Sequence, residues 1–193
     1  MSNVTASKNI YKTLTRITPV EKPKSLKLKL VYWYSRYLFG KVITPMKVVQ
    51  VRFPESIGLA KEMIKVQESM RLPNRLKYLI KVYIATINGC AFCVDMGRAS
   101  AENHNLPSRM FDDLLNFENT DQFTDAEKAA LAYVDEATRS KHVEDETFDR
   151  LRSHFDDTEI VCITTLNAVE NYYNLVNAPL RIPSDELCKT LNK

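Results

Sequence analysis

Between Leu76 and Ile87 the apolar residues Leu76, Leu79, Ile80, Tyr83, Ile84 and Ile87 recur at i, i+3, i+4, i+7, i+8 and i+11. That is the stripe of an amphipathic helix facing a core, and it fits no strand pattern. The chain around it is poor in the residues that a turn-rich fold needs. It has 4 glycines and 8 prolines in 193 residues. An all-β chain requires a turn every 8–12 residues or so. The expected class is therefore all-α.

The remaining helices follow from their start and stop signals. Pro54 and Glu55 open a segment carrying Ile57, Leu59, Ala60, Met63, Ile64 and Val66, which breaks at Arg71-Leu72-Pro73-Asn74. Asn88-Gly89 reads as a turn, and a helix resumes at Cys90 and runs to about His104, with Asn105 placed to cap it. Pro107 restarts the chain into Met110, Phe111, Leu114 and Leu115. Thr124 and Glu127 form a capping-box pair ahead of Ala130, Leu131, Val134 and Ala137. Phe148, Leu151 and Phe155 mark a short helix. Asp156, Asp157 and Glu159 suit the positive end of a long last helix that Pro179 ends. Its expected core stripe is Cys162, Leu166, Val169, Tyr173 and Val176. In all, roughly six to eight helices are expected, with no strand and no internal repeat.

Charge divides the chain unevenly. Residues 1–50 hold ten Lys/Arg and the single acid Glu21, a net +9, while the remainder is net −6. Residues 24–43 add Tyr32, the chain's only tryptophan Trp33, Tyr34, Tyr37 and Phe39 to those cations. Such an arm suits packing on the acidic body of its own or a neighbouring subunit, or contact with an anionic membrane surface. No groove-reading or phosphate-binding motif accompanies the charge, so a nucleic-acid partner is not expected. No apolar run is long enough to span a bilayer. The first 20 residues lack a secretory core, and a cytoplasmic location is expected, although the first 18 are basic, hydroxyl-rich and acid-free as in a mitochondrial presequence.

The chemistry centres on Cys90-Ala-Phe-Cys93. Two cysteines at i and i+3 lie on one helix face within bridging reach. A helix N-terminus also favours the thiolate, the reactive form. A lone CxxC reads as redox-active. A zinc site would need four ligands. Cys162, Cys188, His104, His142 and His154 do not supply the spacing, and no metal is expected. The plain alternative is a pair of buried thiols acting as small apolar groups.

The stretch from Leu76 to Ser100, with Asn-Gly-Cys-x-x-Cys at its centre, resembles the carboxymuconolactone decarboxylase / alkyl hydroperoxidase D superfamily. Phe123 to Tyr133, and Glu159-Ile-Val161 leading to Glu170-Asn-Tyr-Tyr-Asn174, agree with it in order and spacing. The resemblance covers residues 44–183. It leaves residues 1–43 as a basic aromatic arm and 184–193 as a tail. It implies a helical fold assembled as a homo-oligomer, trimer or hexamer, and thiol-dependent reduction of hydroperoxides. Cys93 is then the peroxidatic thiolate and Cys90 the resolving thiol. No cofactor is bound; an external dithiol protein, lipoyl- or thioredoxin-like, recycles the pair.

The chain departs from the hydroperoxidase motif at two positions. A Glu stands twelve residues before the first cysteine in that motif, where this chain has Tyr78. A His stands four residues after the second, where this chain has Gly97. The proton relay must lie elsewhere. Glu170, inside an otherwise apolar helix, is the better candidate, and Tyr78 is a poorer one because its ordinary pKa near ~10 makes it a weak base. Asp95, about 200° around the helix from Cys93, points away from the pair unless another subunit meets it. Gly97 leaves either space for a small molecule or a close helix–helix contact. Two other functions compete: a non-catalytic helical platform with vestigial thiols, and a carboxymuconolactone decarboxylase, which the cysteine pair and the missing His disfavour.

Overall fold

The computed structural model describes residues 15–188. Among them the chain forms seven α-helices joined by short π and 3-10 turns, with no strand. They are α1 (Leu26–Phe39), α2 (Glu55–Ser69), α3 (Asn74–Ile87), α4 (Ala91–Glu102), α5 (Asp125–Arg139), α6 (Asp145–Arg152) and α7 (Asp157–Asn177). A π turn covers Met46–Gln50, and 3-10 turns cover Ser108–Phe111 and Leu114–Asn119.

The α3 stripe behaves as its spacing dictates. Leu79, Ile80 and Ile84 are wholly buried and meet Leu131, Leu151, Ile163 and Leu166 from α5, α6 and α7. Each such side chain stabilises the fold by about 1.5–3 kcal/mol. α5 and α7 both begin with complete capping boxes, Thr124 with Glu127 and Asp156 with Glu159. Glu127 is further held by the Arg75 guanidinium at 2.7 Å.

α3 and α4 form a hairpin whose turn is set by Gly89. Its φ of 65° is the left-handed conformation that glycine adopts without a steric penalty. The Gly89 N–H donates to the Thr86 carbonyl and the Cys90 N–H to the Ala85 carbonyl, which closes the end of α3 as a Schellman motif. Cys90 is therefore both the last residue of that motif and the N-cap of α4. It joins Cys93, Ile43, Val48, Ala85, Ala99, Ile182 and Leu187 in a second core cluster.

The two ends of the described chain are tied to this body. The Arg16 N–H donates to the Leu180 carbonyl, and the Arg52 guanidinium to the Thr18 carbonyl at 2.7 Å. The Asp185 carboxylate accepts from the N–H and the hydroxyl of Thr44, both at 2.7 Å. α2 is the outlier: it buries only Ser56 and Gln67 and leaves Leu59, Ile64 and Val66 exposed.

The last helix corrects one expectation. Of the stripe Cys162, Leu166, Val169, Tyr173 and Val176, only Leu166 is buried; the others are half-buried. The buried face is instead Ile160, Ile163, Leu166, Asn167, Glu170, Asn174 and Asn177, apolar at its start and polar at its end. The polar residues go inward because they hydrogen-bond one another and the turn before Cys90, so burial leaves few of their polar atoms unpaired.

Candidate thiol site

Cys90 and Cys93 are joined by a disulfide with a Cα–Cα distance of 5.3 Å. The Schellman turn places Cys90 at the N-cap of α4, and Cys93 follows in its first turn. Unpaired N–H groups gather there, so the end of the helix favours a negative sulfur. Both sulfurs are deep: Cys90 is 1% and Cys93 8% exposed. A shallow cleft of about 480 Å³ reaches Cys90, bordered by Thr86, Gly89, Asp95, Arg98 and Ser184.

From the other side α7 closes on Cys93. The Asn177 side-chain N–H donates to Cys93 Sγ at 3.6 Å. Asn177 is only 4% exposed, and its Oδ1 has no partner among the described residues. A thiolate only accepts, so Nδ2 is the end that a charged Cys93 requires facing it. Leaving a buried carbonyl unpaired costs about 1–3 kcal/mol.

One turn earlier, a network of amides joins α7 to the turn. Asn174 donates to Glu170 Oε1 at 2.7 Å. Asn88, two residues before Cys90, donates to Asn174 Oδ1 at 2.9 Å and to Asn171 Oδ1 at 3.0 Å. Thr138 and Asn171 both donate to Asn167 Oδ1 at the far end. Burial pushes the Glu170 carboxyl well above the usual carboxylate range; the Lys81 charge and the Asn174 hydrogen bond only partly oppose it. Burial likewise pushes Lys81 down, with Glu170 opposing. The two groups share one low-dielectric region between α3 and α7.

The other sequence candidates fall elsewhere. Tyr78 lies nine residues before the end of α3, about 14 Å along the helix axis from the hairpin turn. Its ring sits against His104 at 5.3 Å, with Lys81 Nζ 5.5 Å from the ring centre. Burial first and the Glu68 charge second push its hydroxyl pKa upward. It is not brought to the cysteines. Gly97 resolves into the close helix contact: a Cβ there would stand 2.8 Å from Val82 Cγ2.

Asp95 is met by this chain's own C-terminal segment. Its carboxylate accepts the N–H of Asp185 and of Leu187, each at 3.0 Å, and that of Cys188 at 3.5 Å. It thereby holds the segment that follows Ser184, a residue bordering the cleft. Among the described residues no group of three or more His, Cys, Asp or Glu is placed to hold a metal ion. The residues the sequence reading missed, Asn88, Asn174 and Asn177, did leave a signal. Asn167, Glu170, Asn174 and Asn177 recur every three or four residues with Asn171 beside them, and asparagine is a poor helix former unless its side chain has a partner.

A hairpin of helices presenting a cysteine pair at the start of its second helix defines a thiol-bearing class of all-α proteins. Residues 59–136 match the model of the carboxymuconolactone decarboxylase family. The chain is also 31% identical to a protein of unknown function from Agrobacterium tumefaciens, described as an AhpD candidate for antioxidant defence. That match covers 68% of this chain and 91% of the other, with a TM-score of 0.64. The chain therefore belongs to the carboxymuconolactone decarboxylase / alkyl hydroperoxidase D superfamily, whose members include enzymes. It is 29% identical over 126 residues to the uncharacterized protein YdfG of Bacillus subtilis, spanning 64% of this chain and 86% of that one. The debrominase Bmp8, solved with 2,3,4-tribromopyrrole, is 19% identical. It shares the fold at a TM-score of 0.72 over 92% of this chain and 96% of its own.

Proposed function

We propose that the chain is a thiol peroxidase that reduces hydroperoxides at Cys93. The observation that carries this reading is the placement of the pair. A disulfide spans the N-cap and first turn of α4, with a buried amide N–H aimed at the second sulfur. The Cys93 thiolate attacks the terminal peroxide oxygen, the O–O bond breaks, and the alcohol leaves after taking a proton. Cys93 becomes a sulfenic acid. The Cys90 thiol condenses with it, forming the disulfide and releasing water. An external dithiol protein then reduces the disulfide and is itself oxidised.

Glu170 is the proton relay of this scheme, linked through Asn174 and Asn88 to the turn before Cys90. Tyr78 has no part in it. Homo-oligomerisation belongs to the proposal, supported by the exposed apolar face of α2, as does a cytoplasmic setting, where reductants keep the pair cycling.

The depth of both sulfurs favours one competing reading, a helical platform with inert thiols. The experiment that separates them is consumption of an organic hydroperoxide with dihydrolipoamide as reductant. Turnover should vanish in Cys93→Ser, while Cys90→Ser keeps one turnover and loses recycling. Absence of any turnover by the wild-type protein, with peroxide leaving both thiols titratable, would establish the platform.

A further inference from the structure

α1 carries two apolar faces, and only one of them is used. Leu28, Tyr32 and Ser35 are buried against the body. The Tyr32 hydroxyl donates to the Val20 carbonyl at 2.7 Å, and the Ser35 hydroxyl donates to the Lys41 carbonyl and accepts from the Ile43 N–H. These bonds fix the rotation of the helix. On the opposite side Leu26, Leu30, Trp33, Tyr34, Tyr37 and Leu38 fall within an arc of roughly 140° at 100° per residue. All six are exposed, Trp33 at 63% and Tyr37 at 75%.

The borders of this stripe are cationic. Lys29 and Arg36 flank one edge, Lys27 lies just inside the other between Tyr34 and Leu38, and α1 contains no acid. Among the described residues none of Lys22, Lys27, Lys29 and Arg36 forms an ion pair. Three of them, Lys22, Lys29 and Arg36, line a cleft of about 340 Å³ directly beside the stripe. The cleft's one acid, Glu21, is turned to Lys47 at 3.1 Å.

We infer that α1 docks the protein on an anionic phospholipid surface, with the stripe in the headgroup–acyl boundary and phosphates in the Lys22–Lys29–Arg36 cleft. The chemistry selects this partner over a second copy of the chain. Two stripes packed on one another would bring the cations of one helix beside those of the other with no acid on either to offset them, and like charges at that range repel. A bilayer instead offers apolar depth and a plane of anions in the order the helix presents them. Tryptophan and tyrosine suit that boundary because the ring is apolar and its N–H or O–H reaches polar groups. α1 is about 21 Å long, so it lies along the surface and does not cross it, in keeping with the absence of any spanning helix among the described residues. The inference is independent of the peroxidase reading.

Trp33, the only tryptophan, stands in the stripe and reports on it directly. The experiment is emission and co-sedimentation of the full chain with vesicles of phosphatidylcholine alone and of phosphatidylcholine with phosphatidylserine. A blue shift and sedimentation with the phosphatidylserine vesicles, weakening as salt is added, are expected. Each cation near such a surface is worth roughly a five-fold gain in partitioning, so Lys29→Ala/Arg36→Ala should lower it by roughly 25-fold. Leu30→Glu/Tyr37→Glu should abolish the shift. All four positions are exposed, so circular dichroism should stay unchanged. No shift with anionic vesicles would overturn the inference. So would a lipid-free blue shift that grows with protein concentration alongside the scattering mass, which would assign the stripe to a second copy.

Discussion

Replacing Asn177 by alanine isolates the contribution of the amide to Cys93. The N–H that reaches Cys93 Sγ at 3.6 Å becomes a hydrogen bond to a charged acceptor once the disulfide is reduced and the thiol ionises. Such bonds are worth about 1.5–3 kcal/mol. Losing one should raise the Cys93 thiol pKa by roughly one to two pH units, at 1.36 kcal/mol per unit. The fold should lose much less, because the same substitution removes an unpaired buried Oδ1. The assay is the pH profile of iodoacetamide alkylation at position 93 in a Cys90→Ser background. Peptide mass spectrometry keeps Cys162 and Cys188 out of the signal. Asn177→Ala should move the midpoint upward, and Asn177→Asp should move it further, since a carboxylate repels the thiolate. Asn177→Ala with an unmoved midpoint and a lowered Tm would refute the argument and make Asn177 a packing residue.

Two further outcomes follow from buried groups. Glu170 has a folded-state pKa raised above its ordinary 4.5, so its contribution to stability is fully present below that value and is lost as pH rises through the raised one. The Tm of Glu170→Gln relative to wild type should therefore climb as pH rises above about 4.5, and its peroxide rate should fall; a constant Tm difference would contradict the buried, protonated carboxyl. At Gly97 an alanine Cβ would press on Val82, a stiff β-branched side chain with no exposure. Overpacking costs about 1–3 kcal/mol against a helix-propensity gain of about 1. Gly97→Ala should thus lower Tm by a few degrees, at about 2–4 °C per kcal/mol, and Val82→Ala should suppress the effect; a raised Tm would show that the contact yields freely.

The parts of this fold that follow simple rules were legible before any coordinates. The α3 stripe, the break at Pro73, the Gly89 turn and the Thr124 capping box each act through neighbours in sequence, and each falls where its residues place it. α1 was harder to assign because its apolar residues occupy two opposite faces, which flattens the contrast that marks an amphipathic helix. A hydrophobic period misplaces the buried face of α7 for a related reason: Asn167, Asn174 and Asn177 go inside on hydrogen bonds, which such a period does not register. The cysteine pair announced itself. Its surroundings, Asn177 from one direction and the Asp95-pinned segment from the other, depend on contacts about 85–90 residues apart and are visible only in three dimensions.

The depth of the two sulfurs limits what can restore them. If the pair cycles as proposed, its donor must reach residues with only 1% and 8% of their surfaces open to solvent, which disfavours a rigid globular donor whose own thiols sit flush in its surface. On the peroxidase reading, a slender dithiol arm would approach from the Cys90 side, where the cleft is bordered by Ser184 and Arg98. A bulkier reductant would need Ser184 and the residues after it that Asp95 holds to move first. Its fastest cycling rate is then the fraction of time spent open multiplied by the speed of exchange in that state. Loosening the grip of Asp95 would therefore speed regeneration by large partners and leave slim ones indifferent.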